Sequence, residues 1–172
     1  MDQFPCDDEY LRTLGRAVYD FIVLDHAVAC VINRMERGYL RDHQQRKRST
    51  AGRVADDFKR FADKVGDAEL RTKLQALQER FKDLGVDRNG LLHSTPVMLP
   101  GGSATLIRER DDGQNGLGEW SFTVLAPVYI AERAAEFRAL TNDVLKVLRD
   151  EMSGADNDHG GEPEHSSLPE DL

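Results

Sequence analysis

Residues 67–94 show the clearest helical pattern in the chain and read DAELRTKLQALQERFKDLGVDRNGLLHS. Large apolar side chains recur in this stretch with the spacing of one helix face. They are Leu70, Leu74, Leu77, Phe81 and Leu84. Asp67 is a good N-cap, and Gly85 is suited to end the helix. Asp87 can then cap a further helical piece over residues 88–94, so we expect two helices here, separated by a short break.

Three further segments share this period. They run over about residues 8–44, 51–65 and 128–152. Thr50 is placed to cap the second of them. Asp25 interrupts the apolar face of the first, either as part of a buried polar site or as a solvated residue at the edge of that face. The pattern predicts amphipathic helices that each bury one face.

The pattern changes between the last two helical segments. Residues 104–110 and 119–125 alternate in the manner of strands. Asp-Gly and Asn-Gly pairs at residues 112–113 and 115–116 supply the turn between them. We therefore predict a mostly α-helical protein, a four-to-five-helix antiparallel bundle. A small β-hairpin is inserted before its last long helix, within residues 95–127.

The formal net charge of −8 is unevenly distributed along the chain. Residues 153–172 contain six acidic side chains and neither Lys nor Arg, whereas residues 1–152 hold 25 acidic and 23 basic side chains. A segment with so few apolar side chains cannot bury enough surface to fold. We therefore expect one helical domain over residues 1–152 and a disordered acidic tail over residues 153–172.

A basic zone lies within the domain. Residues 34–60 carry nine basic and four acidic side chains, a local excess of five positive charges. Such a zone is either a solvated surface or a binding surface for the phosphates of a nucleic acid. Both interpretations are open on sequence grounds.

The composition argues against several classes of protein. The chain has no run of 18 apolar residues, which argues against a membrane-spanning helix, and its start has no signal-peptide pattern. Cys6 and Cys30 are too few for a disulfide framework, so we expect a cytoplasmic protein. His26 and Cys30 lie on one helix face, but no further metal ligands accompany them. We expect neither a metal nor a cofactor.

The residues best suited to chemistry are Arg88, Asn89 and His93, in the sequence DRNGLLHS. Here the chain resembles the HEPN superfamily, whose signature is an Arg, a short spacer and a His, often with a polar residue directly after the Arg. Four residues separate Arg88 from His93. The similarity extends to the long first and last helices and to the strand-rich insertion, and covers about residues 8–152.

The resemblance implies a homodimer that acts on RNA as a metal-independent endoribonuclease, in the manner of a toxin or defence effector, with an antitoxin or another protein as a partner. Arg88, Asn89 and His93 are then the catalytic residues. His93 would take the proton from a ribose 2′-hydroxyl, because histidine exchanges protons near neutral pH. Arg88 would stabilise charge on the phosphorane, and Asn89 would orient the phosphate or the imidazole. We also expect N–H donors from a helix N-terminus at this site.

The alternative is a non-catalytic helical module for dimerisation or for binding nucleic acid or a partner protein. In that case Arg88 pairs with Asp87 or Glu79, and His93 is a helix-end histidine without a chemical role. A five-residue step turns about 140° around an ideal helix, so Arg88 and His93 of one chain do not share a face. Residues from two subunits around one cleft would remove that difficulty, which links the enzymatic interpretation to the dimer.

Overall fold

The computed structural model describes residues 8–45, 50–98, 104–111 and 120–152. This part of the chain is mostly α-helical, and a small antiparallel sheet is inserted before the last long helix, which confirms the predicted fold class. The elements in chain order are α1 (Asp8–Met35), α2 (Tyr39–Gln45), α3 (Ala51–Ala62), α4 (Ala68–Leu92), β1 (Thr95–Met98), β2 (Ala104–Asp111), β3 (Trp120–Leu125) and α5 (Pro127–Asp150). The acidic tail predicted over residues 153–172 lies outside the described residues.

Helix α4 is continuous over Ala68–Leu92, so the predicted break at Gly85 is wrong. Gly85 is buried where the start of α3 meets α4, and a Cβ atom on it would lie 3.6 Å from the Cβ of Ala51. Packing between the two helices outweighs the low helix propensity of glycine, which is about 1 kcal/mol relative to alanine. Asp87 is an interior residue of α4 and not a cap, and Asp67 is the N-cap of the whole helix.

The first predicted helix is interrupted, so that α1 and α2 are separate. Gly38, between them, has a φ angle of 96°, which residues with a Cβ atom rarely adopt. The Oδ1 atom of Asn33 accepts hydrogen bonds from the backbone N–H groups of Gly38 and Leu40, both at 3.1 Å. These bonds stabilise the turn, and the turn sets the direction of α2, which carries His43.

The predicted helix starts at Thr50 and Asp67 are confirmed by their side chains. The Oγ1 atom of Thr50 accepts a hydrogen bond from the backbone N–H of Arg53 at 3.3 Å. The Oδ1 atom of Asp67 accepts one from the backbone N–H of Leu70 at 2.8 Å. Each bond satisfies an N–H group that the helix itself leaves without a partner. Helix α3 ends at Ala62, earlier than predicted.

Three phenylalanines from different helices form the centre of the core. The ring of Phe21 on α1 stacks on Phe81 of α4 with 5.9 Å between centroids, and meets Phe137 of α5 edge-on at 5.2 Å. All three are buried, and aromatic pairs in such geometries add stability beyond the burial of their area. The guanidinium of Arg88 lies over the ring of Phe21, so this core directly supports the candidate site.

Helix α4 runs antiparallel to α5. Lys73, near the start of α4, pairs with Glu151, just after the end of α5, at 2.9 Å. Asp87, near the end of α4, pairs with Arg133, near the start of α5, at 3.0 Å. This arrangement places the end of α4, with the Arg-His motif, beside the start of the last helix.

In the part of the chain that the structure describes, the insertion contains the predicted hairpin of β2 and β3 and one further strand, β1. Strand β1 follows α4 closely and pairs with β2, with Thr95 opposite Ile107. The sequence does not predict β1, because proline is unusual within a strand. Pro96 is tolerated here because β1 is an edge strand. The turn pairs at residues 112–113 and 115–116 lie outside the described residues.

Candidate functional site

The Arg-His motif lies at the C-terminal end of α4. Arg88 and Asn89 belong to the last turns of the helix, and His93 is its C-cap, with its backbone N–H donating to the carbonyl of Asn89 at 3.0 Å. The Ser94 hydroxyl donates to the carbonyl of Gly90. The expected helix N-terminus is therefore wrong. Carbonyl groups and the negative end of the helix dipole face this site, so donors for an anion have to come from side chains.

Arg88 is held in place from two sides. Its Nη1 atom donates a hydrogen bond to the Oδ1 atom of Asn89 at 2.9 Å. Its guanidinium carbon lies 5.5 Å from the centroid of the Phe21 ring, which is a cation–π distance. In the described part of the chain Arg88 forms no ion pair with Asp87 or Glu79. The ion pairs that the non-catalytic interpretation expects for Arg88 are thus absent from the described residues.

Asp25 of α1 adds a partly buried carboxylate to the site. Its side chain is 23% exposed, and its Oδ2 atom lies 3.1 Å from Nε2 of His43. Burial raises the pKa of the Asp25 carboxyl above its ordinary value, although His43, Arg88 and His26 act in the opposite direction. Asp25 thus lies between the two interpretations, since its side chain is partly exposed but pairs with His43.

His43 is the site residue that the sequence analysis missed. Its ring stacks on that of Tyr39, with 6.1 Å between centroids and an interplanar angle of 12°. The Tyr39 hydroxyl donates to Oδ2 of Asp57 at 3.0 Å, and Oδ1 of Asp57 accepts from Arg60 at 2.8 Å. His43 and Asp25 are 18 positions apart, which would place them about 27 Å apart on one straight helix. They meet only because the chain turns at Gly38.

A small recess opens beside these groups. It measures about 80 Å³ and is lined by Phe21, Ile22, Asp25, Ala51 and Arg88. It combines an apolar floor with one cation and one carboxylate. It is too small to enclose a nucleotide, since ligand pockets usually measure about 300–1,000 Å³. A phosphodiester would have to be bound across its mouth.

His93 lies apart from Arg88 in the same chain. It is exposed, and its side chain has no hydrogen-bond or ion-pair partner among residues 8–45, 50–98, 104–111 and 120–152. Along a continuous helix, five positions correspond to about 7.5 Å of rise and about 140° of rotation. A single chain therefore brings Arg88, Asn89, Asp25 and His43 together and leaves His93 on a different face.

Exposed apolar side chains surround the site. Ile22 lines the recess with Arg88 and is 58% exposed, while Tyr19, one turn earlier on α1, is 62% exposed. Val23 on α1 and Leu92 on α4 are also exposed. Neighbouring apolar side chains that water would otherwise cover are typical of surfaces that bind another molecule.

The sequence also singled out the His26–Cys30 pair and the basic zone. The Sγ atom of Cys30 lies 3.7 Å from Nε2 of His26, and burial raises the pKa of the thiol. Among the described residues, no three His, Cys, Asp or Glu side chains are close enough to hold a metal ion. Residues 46–49 of the basic zone lie outside the described residues. No helix within the described ranges is both long and apolar enough to cross a bilayer.

Comparison with known proteins gives no relative. No family model matches the chain, and neither the curated proteins nor the solved structures give a match. The resemblance to the HEPN superfamily therefore stays a prediction from the sequence, based on Arg88, Asn89, His93 and the predicted helices.

Proposed function

We propose that the protein is a metal-independent endoribonuclease of HEPN type. The observation that carries the proposal is the environment of Arg88, whose guanidinium is held by Asn89, Phe21 and the charge of Asp25. A guanidinium fixed in this way can bind a phosphate in a defined orientation and stabilise the charge that develops on it.

In the proposed reaction, the RNA supplies its own nucleophile. A ribose 2′-hydroxyl loses its proton to the imidazole of His93 and attacks the adjacent phosphorus, while Arg88 binds the non-bridging oxygens. The bond from phosphorus to the 5′-oxygen breaks and that oxygen takes a proton from water, while the imidazolium of His93 returns its proton to the solvent. The products are a 2′,3′-cyclic phosphate and a 5′-hydroxyl, and no metal ion takes part.

The proposal includes a homodimer because Arg88 and His93 lie apart from each other within one chain. Arg88 and His93 lie on different faces of α4, so the histidine that acts with Arg88 is the partner's His93. Tyr19, Ile22 and Val23 form an exposed apolar surface on α1 beside Arg88. A second copy of the chain seated on this surface would bury it.

Asp25 and His43 are positioning residues in this proposal. The Asp25 carboxylate attracts Arg88 from the side of α1, and His43 holds the carboxylate from the side of α2 at 3.1 Å. Neither has to touch the RNA. Together they limit the positions of the guanidinium before substrate arrives, which reduces the entropy lost on binding.

The decisive experiment compares RNA cleavage by wild type and His93→Ala in the presence of EDTA. Wild type should cleave, and its products should carry 2′,3′-cyclic phosphates. His93→Ala should lose about 10²–10⁴-fold in rate because the proton acceptor is removed. Lys82→Ala, an exposed change on the same helix, is the matched control and should retain full activity. Equal cleavage by wild type and His93→Ala would show that another site or a contaminant is responsible.

The second candidate function is a non-catalytic module that binds nucleic acid or a partner protein. It is favoured by the position of the motif at a helix C-terminus, where backbone carbonyls and not N–H groups are free. RNA binding that depends on Arg88, without cleavage by any variant, would identify this function.

A further inference from the structure

A second cationic groove lies between α1 and α5. It measures about 500 Å³, within the range of small-molecule sites. Its lining residues are Arg12, Thr13, Arg16, Ala131, Ala134 and Arg138. Asp25 lies nine positions beyond Arg16 on α1, which corresponds to about 14 Å along the helix axis. The groove is thus separate from the recess beside Arg88.

The charges of the groove do not balance. Three of its lining side chains are arginines and none is acidic. Asp20 is 6% exposed and pairs with both Arg16, at 3.4 Å, and Arg138. Arg12 has no ion-pair or hydrogen-bond partner in the described part of the chain. Asp20 therefore pairs with two of the three guanidinium groups, and the third, that of Arg12, is available to a bound anion.

Asp20 also fixes the geometry of the groove. It is buried at the junction of the helices and holds Arg16 from α1 and Arg138 from α5 on one carboxylate. Nε of Arg16 and Nη1 of Arg138 make these contacts, and each guanidinium has further N–H donors. Donors from two helices that are held by a buried group are preorganised for an anion.

The floor of the groove leaves room for such an anion. Ala131 and Ala134 present only methyl groups, and the Thr13 hydroxyl is already donating to the carbonyl of Glu9 at 2.9 Å. The guanidinium groups are therefore the donors. Planar guanidinium forks match the oxygens of a phosphate, with two parallel hydrogen bonds each.

We infer that this groove is a phosphate-binding site, formed by Arg12, Arg16 and Arg138 and organised by Asp20. The phosphate belongs either to a small phosphorylated molecule or to the backbone of a nucleic acid, since both present the same oxygens. The site does not depend on the proposed cleavage reaction, because none of its residues contacts Arg88, and His93 is not among them.

The test is calorimetric titration of the full-length protein with three probes: inorganic phosphate, a mononucleotide, and a single-stranded oligodeoxynucleotide, which has no 2′-hydroxyl to attack. Arg12→Gln is the chosen variant because it leaves both partners of Asp20 in place. It should weaken binding about tenfold or more, through loss of a charge-assisted hydrogen bond. Arg80→Gln, which alters an exposed arginine paired with Asp143 in another groove, should bind as wild type does.

The three probes separate the two sources of phosphate. Binding of inorganic phosphate and the mononucleotide, weakened by Arg12→Gln, identifies a site for small phosphorylated molecules. Binding of the oligodeoxynucleotide alone, weakened in the same way, identifies a backbone contact. The inference is overturned if no probe binds to the wild-type protein. It is also overturned if Arg12→Gln binds the probes as tightly as wild type does, or if Arg12→Gln and Arg80→Gln weaken binding equally. None of these outcomes depends on cleavage at His93.

Discussion

At the scale of single residues, Arg88 differs from the other arginines of α4 in the variety of its contacts. Arg80 pairs with an exposed carboxylate across the α4–α5 groove. Arg88 instead has an amide oxygen, an aromatic ring and a partly buried carboxylate around it. A guanidinium that no carboxylate neutralises directly keeps donors available for a ligand, which is why it is the centre of the proposed site.

Arg88→Lys should not preserve activity, although it preserves the charge. An ammonium group is a point charge that cannot supply two parallel hydrogen bonds or stack on Phe21 with the same geometry. We expect a loss of about tenfold or more in the rate of RNA cleavage, and a larger loss of about 10²–10³-fold for Arg88→Ala. Single-turnover cleavage assays measure both. Full activity in Arg88→Lys would mean that only charge matters at this position.

Asp25 should give the stability of the protein a measurable pH dependence. Burial raises the pKa of its carboxyl in the folded state above the value near 3.8 that applies to the unfolded chain. Between these two pKa values the folded state binds more protons, so the contribution of Asp25 to stability falls as pH rises. Above the folded-state pKa of Asp25, burial of the charged carboxylate lowers the stability of the protein by its full amount.

Asp25→Asn removes the buried negative charge and with it the free-energy cost of burying that charge. The variant should therefore have a higher melting temperature than wild type at neutral pH. The difference from wild type should shrink as the pH is lowered through the folded-state pKa of Asp25, because wild type then becomes neutral there as well. Thermal unfolding at a series of pH values measures this. A lower melting temperature in Asp25→Asn at neutral pH would show that the attraction of His43 and Arg88 exceeds the effect of burial.

At the scale of elements, α4 shows how packing overrides a local signal. Gly85 weakens the helix locally, yet the helix continues because Leu84 and Leu91 are buried on either side of it. The continuity matters for the site, since it places Arg88 near the end of a long helix and His93 at its C-cap. A break at Gly85 would have turned the motif into the start of a new helix, with a different set of backbone groups exposed.

Two glycines should respond in opposite directions to substitution by alanine. At Gly85 a Cβ atom would make an ordinary contact, 3.6 Å from the Cβ of Ala51, and alanine favours the helix by about 1 kcal/mol. Gly85→Ala should therefore raise the melting temperature by about 2–4 °C. Gly38→Ala should lower it, because φ is 96° there. Thermal unfolding measures both, and a lower melting temperature in Gly85→Ala would contradict the close but uncrowded packing of α3 on α4.

At the scale of the whole molecule, α1 has an apolar surface that remains exposed to water in a single chain. Tyr19 and Ile22 are each more than half exposed. Such residues are common singly on a surface. Here, however, Ile22 lines the recess together with Arg88, and Tyr19 lies one turn away from Ile22 on α1. In the proposed dimer they lie between the subunits.

Ile22→Glu should convert the proposed dimer into a monomer, because a buried carboxylate without a partner is strongly unfavourable. Sedimentation velocity at micromolar concentration measures the change, and cleavage activity should fall with it. Leu145→Glu is the matched control, since Leu145 is exposed on α5, toward the end of the helix that lies beside the start of α4. A wild-type monomer, with or without RNA, would contradict the dimer.

The sequence by itself determined the features that depend on neighbouring residues. The period of the apolar side chains predicted the helices, and Thr50 and Asp67 predicted two helix starts, because a cap acts within three residues of its own position. Arg88, Asn89 and His93 were predicted as site residues from their resemblance to the HEPN signature, and their role stays a prediction. The contact of Arg88 with Asn89 is local, since the two are consecutive in the chain.

Only the tertiary structure decided which distant groups meet. The continuity of α4 through Gly85 depends on the packing of α3, and the contact of His43 with Asp25 depends on the turn at Gly38. The pairing of Asp20 with arginines from α1 and α5 depends in turn on the packing of those two helices. No period or spacing encodes such contacts, because they arise where separate elements are brought together by the burial of their apolar faces.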